Sequence, residues 1–98
     1  MTIEIKRNEQ TTTIELGGRL DTMTAPALEQ TIQRDIGDTK HLVLDMKGVE
    51  YISSAGLRVI LGTQKKMQQI GSLKVINVCE ALMEVFEMTG FADILTIE

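Results

Sequence analysis

Ser53 and Ser54 are the best-placed groups in the chain for chemistry, because they stand where an apolar run gives way to helical spacing. Beyond them Leu57, Ile60 and Leu61 fall on one helical face, which Met67 extends. A helix start gathers free backbone N–H groups and the positive end of the helix dipole. A hydroxyl there can cap the helix, the usual use of a serine before an apolar helix, or it can carry a group transferred to it. Sites in open α/β sheets collect at the carboxyl ends of the strands. On that rule the loops Gly18 to Thr24 and Asp45 to Ser54, with Asn77 to Glu80, lie closest to the serines. Asp21 and Asp45 are then the acidic candidates beside Ser54. Asp45 is expected to hold loop amides at a strand end, and Asp21 to do so before Thr24.

Other chemistries lack their residues. A serine hydrolase needs a base beside its nucleophile. The one histidine, His41, lies at the opposite end of the Leu42 strand, which at roughly 3.3 Å per residue puts it more than ~10 Å away. No GxSxG elbow and no phosphate-cradling glycine loop occurs. One His and one Cys, far apart in sequence, make no metal-ligand set, and no cofactor is implied. The formal net charge of −4 with scattered lysines argues against direct nucleic-acid binding and permits a partner with a basic docking surface. Six methionines read as core filler, although Met23 and Met46 fall in or beside the expected site loops and would suit an adaptable surface.

The elements that must position these groups follow from periodicity. Ile3 and Ile5, then Thr12, Ile14 and Leu16, alternate with polar residues on either side of Arg7 to Gln10, which predicts an antiparallel hairpin. Gly17 and Gly18 are expected to stop the second strand. Thr24 is expected to cap a helix carrying Pro26 in its first turn, with Leu28, Ile32 and Ile36 facing the core and Gly37 as its stop. Leu42 to Leu44 reads as a buried strand ended by Asp45, with a turn at Gly48 and a short apolar piece from Val49 to Ile52. The serine-headed helix should run to about Ile70 and stop at Gly71. Leu73 to Val78 reads as a strand, the stretch with Leu82, Val85 and Phe86 as a helix stopped by Gly90, and Ile94 to Ile97 as a last strand.

The predicted architecture is therefore α/β: one small mixed sheet of four or five strands, an N-terminal hairpin and helices packed on the sheet. Leu44, Ile60, Leu61, Val75 and Phe86 are expected in its core. Ninety-eight residues suit a single domain over 1–98. With 43% hydrophobic residues and only three aromatics, its core must be mostly aliphatic. The alternating start, Met1 to Lys6, reads as a strand rather than a signal peptide. No stretch approaches the roughly 18 apolar residues of a membrane span. The lone Cys79, outside any CxxC pair, points to a reduced, cytoplasmic setting.

Three stretches together resemble one family. Val43-Leu44-Asp45, Gly48-Val49 and Tyr51-Ile52-Ser53-Ser54-Ala55-Gly56-Leu57 resemble the signature of STAS domains, specifically the bacterial anti-sigma factor antagonists. Gly18-Arg19-Leu20-Asp21 with Thr24-Ala25 resembles the family's upstream motif, and Met88-Thr89-Gly90-Phe91 its C-terminal one. The resemblance implies a non-enzymatic binding module that frees a sigma factor by binding an anti-sigma factor which is also a serine protein kinase. It implies that this kinase phosphorylates Ser54 and that a protein phosphatase resets the switch. Asp21 matches the family's loop aspartate, and Ser53, Ser54, Ala55, Gly56 and Leu57 match the rest of the partner-binding motif. Ser53 stands where the family has Asp, and Ala55 where it has Ser or Thr. Two alternatives stay open: a STAS scaffold subunit of a stress-signalling or lipid-transport assembly, with Ser54 only a helix cap, and, more weakly, a serine-dependent enzyme.

Overall fold

The alternation at the start of the chain forms β1 (Thr2–Asn8) and β2 (Thr11–Leu20), paired antiparallel in the computed structural model, which describes residues 1–98. Glu9 takes a left-handed φ of 56° to close their two-residue turn. Next come α1 (Ala25–Asp35), β3 (His41–Ile52), α2 (Ser54–Ile70), β4 (Ser72–Ile76) and α3 (Glu80–Thr89). A short 3₁₀ turn at Phe91–Asp93 leads to β5 (Thr96–Ile97). The five strands lie side by side in chain order, β1-β2-β3-β4-β5, and every pair after the first is parallel. This is the predicted mixed sheet with its N-terminal hairpin.

Parallel neighbours need crossovers, and right-handed ones place α1, α2 and α3 on the same face of the sheet. Burial agrees. Ile14, Leu16, Leu42, Leu44, Met46, Leu73 and Val75 point toward the helices and are buried, while Glu15, Val43, Asp45 and Lys74 on the other face stay partly open. Leu28 and Ile32 of α1, Ile60 and Met67 of α2, and Leu82 and Phe86 of α3 complete the one core. It is almost wholly aliphatic, Phe86 being its single fully buried aromatic.

Three expectations need correcting. Gly17 and Gly18 do not stop β2, and Asp45 with Gly48 does not end β3. Both strands run on, and their register slips where Glu15 and Gly17 face Asp45 and Gly48. A Cβ on Gly48 would lie 2.9 Å from the Gly17 Cα, so the two glycines let the backbones meet at this irregularity. Residues that signal a turn here mark a bulge. Secondly, β4 ends at Ile76, where Asn77 takes a φ of 58°, and β5 is only two residues long.

The third correction is Leu61, which is only half-buried. The inward stripe of α2 is Gly56, Ile60, Thr63, Gln64 and Met67. Leu61 stands about 100° further round the helix than Ile60. The helix settles on the Gly56 side because only a glycine fits there, where a Cβ would meet the Leu20 side chain at 2.7 Å and the Leu20 carbonyl oxygen at 2.9 Å. Ile60→Ala should therefore cost roughly 2–5 kcal/mol, and Leu61→Ala distinctly less. Equal losses of stability in parallel urea titrations would contradict this assignment of the face.

Candidate functional site

The carboxyl ends of β2 and β3 lie side by side, with Leu20 opposite Ile52 in the register. The Ser53 amide donates to the Leu20 carbonyl at 2.9 Å, so the loop carrying Asp21 and the start of α2 are tied together. Around this junction stand Asp21, Ser53, Ser54 and Ala55, with Gly56 buried beneath them and Leu57 half-buried behind.

The two serines divide their work. Ser53 has extended backbone (φ −99°, ψ 175°) and is the N-cap; its Oγ accepts from the Gly56 amide at 3.4 Å, and its carbonyl takes the Leu57 amide at 2.9 Å. Ser54 is the first helical residue and is exposed, and its hydroxyl enters no hydrogen bond within the chain. The cap expected of this serine pair therefore belongs to Ser53 alone. Aspartate and serine are comparable N-caps, so Ser53 supplies the same capping acceptor that an Asp would. Ser53→Ala should cost about 1 kcal/mol, read as a lowered melting temperature.

Asp21 organises the entry to α1. Its Oδ1 accepts from the Met23 amide at 3.0 Å and the Thr24 amide at 3.1 Å. Thr24 caps α1 by position but not through its side chain. Its Oγ1 instead accepts from the Asp21 amide at 2.9 Å and has one proton to give, to the Arg19 carbonyl at 2.7 Å or to Asp21 Oδ1 at 3.2 Å. Desolvation works against ionisation of Asp21, but the Thr24 and Met23 amides, the Thr24 hydroxyl and the Arg19 guanidinium outweigh it. They hold its carboxyl below the ordinary carboxylate range. A depressed folded-state pKa adds stability that is present above the unfolded-state value and is lost as pH falls through the folded one. Asp21→Asn should accordingly lower the melting temperature at neutral pH, and the gap to wild type should close below about pH 4. A gap independent of pH would remove the charge from the explanation.

Asp45 holds a backbone amide as expected, but from within β3, beside the register slip, and not at a strand end. Its Oδ1 accepts from the Lys47 amide and from Asn77 Nδ2, both at 3.0 Å. It lies on the open face of the sheet, beside a cleft lined by Glu15, Gly17, Lys47 and Gly48, and is not brought to Ser54. Met46 is fully buried and belongs to the core, whereas Met23 is 86% exposed in the site loop. His41 sits at the far end of β3, its Nδ1 2.8 Å from Ser72 Oγ, so no histidine stands beside the serines. No cluster of His, Cys, Asp and Glu has the makings of a metal site, and no helix is long and apolar enough to cross a membrane.

Periodicity alone misses three residues here. The Arg19 guanidinium stacks over the half-exposed Tyr51 ring at 4.1 Å and approaches Asp21 Oδ2 at 3.6 Å. Arg19 and Tyr51 are register partners across β2 and β3, a pairing that neither stretch of sequence announces. Arg58, exposed on α2, did carry a signal, since it stands four residues after Ser54.

The chain has documented relatives. A family model described as STAS domain matches residues 2–98. The anti-sigma-B factor antagonist of Bacillus subtilis is 34% identical over 96 residues, covering 97% of this chain and 88% of that protein. Among solved structures, an anti-sigma factor antagonist from Mycobacterium paratuberculosis is 27% identical and superposes with a TM-score of 0.88 over 98% of this chain and 83% of that one. The Bacillus antagonist SpoIIAA, solved in unphosphorylated and phosphorylated forms, shares the fold with a TM-score of 0.78 in each. At 17% and 18% identity, those two cover 99% of this chain and 87% and 91% of their own.

Proposed function

This chain belongs to the STAS domain family, and from that membership we propose that it is an anti-sigma factor antagonist switched by phosphorylation of Ser54. Unmodified, it binds an anti-sigma factor that is also a serine protein kinase, and the sigma factor is released to start transcription. Phosphorylated, it lets go, and a protein phosphatase restores it. The domain, residues 1–98, contributes binding and no catalysis, and it works in the cytoplasm.

The observation that carries this reading is the division between the serines. Ser54 is exposed with a free hydroxyl, while Ser53 holds the helix cap. A phosphoryl group adds about −1.5 to −2 charges at neutral pH. On the first residue of α2 it would meet free amides and leave the cap intact, so the fold should tolerate it. Asp21, Ser53, Ala55, Gly56 and Leu57 shape the docking surface around it, with Gly56 acting from beneath through the close approach of α2 to β2. The scaffold alternative gave Ser54 only a capping role, and Ser53 fills that role instead.

The test is incubation with the cognate kinase and ATP, followed by mass-spectrometric site mapping. Modification at Ser54 is the expected outcome. Modification confined to Ser53 or to a distant threonine would overturn the assignment.

A further inference from the structure

Arg58 is the charged side chain closest in helical terms to Ser54. Residues four apart on a helix are surface neighbours, about 5–6 Å between Cβ atoms. Helical side chains lean toward the N-terminus, so a side chain at position 58 can reach back over the first turn of α2, where Ser54 stands. Both residues are exposed. Arg58 takes part in none of the chain's four ion pairs, which join Lys6 to Glu15, Arg19 to Asp21, Arg34 to Asp35, and Lys74 to Glu98. It lines a groove of about 290 Å³ between the first turns of α1 and α2, with Thr22, Pro26, Ala55 and Glu29, yet makes no ion pair with Glu29. A cation so near a helix N-terminus also opposes the dipole. Nothing in the unmodified chain repays its position.

We propose that Arg58 is the built-in receptor for the phosphoryl group on Ser54, its guanidinium donating two N–H groups to two phosphate oxygens. The proposal rests on the reading of Ser54 as the acceptor. In the transfer itself, Ser54 Oγ attacks the terminal phosphorus of a nucleoside triphosphate held by the kinase. The Oγ–P bond forms as the bond from that phosphorus to the bridging oxygen breaks; the nucleoside diphosphate departs, and the hydroxyl proton passes to a base of the kinase. Arg58 forms no covalent bond. It binds the product, and the planar fork of a guanidinium matches phosphate oxygens better than a lysine would. The pair then holds the phosphate against the α2 surface and withdraws the exposed cation from any partner.

The charged and titratable groups on the elements that meet at the start of α2 are Arg58 on α2, Glu29 on α1, Asp21 and Arg19 at the end of β2, and Tyr51 on β3. Asp21 is engaged by Arg19, so Arg58 is the free cation of this set and should favour the dianion. The experiment places phosphoserine at position 54 by genetic encoding and follows its second ionisation by phosphorus NMR in otherwise wild-type, R58Q and R58K proteins. The phosphate should titrate roughly half to one pH unit lower with Arg58 than with glutamine, with lysine between them. The difference should shrink in molar salt. The unmodified R58Q protein should melt with the wild type, which separates lost pairing from lost folding. Superimposable titrations of folded wild type and R58Q would overturn the proposal. A kinase that fails to modify Ser54 would overturn the acceptor reading instead, and the encoded phosphoserine would still decide the pairing.

Discussion

Ser54→Asp should weaken binding to the unmodified anti-sigma partner by roughly 2–5 kcal/mol, from about thirty-fold to several thousand-fold, while leaving the fold intact. A carboxylate at the centre of a docked surface is desolvated there, and a single helical neighbour such as Arg58 offsets little of that cost, which falls on the complex. In the free protein the same carboxylate lies at the helix N-terminus and four residues before Arg58. Both features favour an anion, the first by about 0.3–1 kcal/mol and the second by about 0.2–0.5 kcal/mol. The melting temperature should therefore match or slightly exceed that of the wild type. Ser54→Ala should bind the partner well and resist inactivation by the kinase. Calorimetric affinity and melting temperature, measured on the same preparations, check both halves. Weak binding accompanied by a large drop in melting temperature would mean unfolding. Equal affinity of all three proteins would remove Ser54 from the interface.

The second large effect lies at the other end of the same helix. Gly71→Ala should destabilise the fold by about 3 kcal/mol, the upper end of overpacking costs. A Cβ at Gly71 would stand 1.7 Å from the Lys40 carbonyl oxygen and 2.6 Å from its carbon. Backbone atoms cannot rotate aside as a side chain can. That carbonyl also accepts the Ser72 amide at 2.9 Å, so moving it disturbs the start of β4. Gly62→Ala is the matched control. Gly62 is in the interior of α2, a Cβ there meets nothing within 4 Å, and the change should stabilise by about 0.5–1 kcal/mol. Denaturant titrations of the two variants should move in opposite directions. A neutral Gly71→Ala would refute the close approach to Lys40.

Gly71 also illustrates how far the chain can be read from its residues. As a helix stop it was legible, because a glycine after the last periodic residue is a local signal. Its packing against Lys40 was not, since residue 40 enters only through the folded topology. The same distinction runs through the other elements. Alternation and helical spacing revealed the strands and helices, including both ends of α2. At Gly17–Gly18 and Asp45–Gly48 a bulge uses the residues a turn would use, and only the neighbouring strand tells them apart. Leu61 outweighed Thr63 in the expected helix face because hydrophobicity is visible in sequence and the contact of Gly56 with Leu20 is not. In the site, the serine pair and Asp21 stood out by their place at strand ends and a helix start, and the family resemblance singled out Ser54 over Ser53 and Asp21 over Asp45. Which serine caps the helix depended on backbone angles, and the pairing of Arg19 with Tyr51 on the register.

The identity of strand order and chain order bears on how the protein is made. Each strand adds to the edge laid down just before it, so no pairing waits for a distant segment. The hairpin of β1 and β2 closes through a two-residue turn, an event of about 1–10 μs. Every later strand needs only its own crossover helix, which keeps the loop-closure entropy of each step small. During synthesis, at roughly 5–20 residues per second, a growing chain can therefore zip up as it emerges from the ribosome, each nascent edge being covered by the next strand. The junction carrying Asp21 and Ser54 uses only β2, β3 and the helix starts beside them. That junction is therefore complete before β5 has docked.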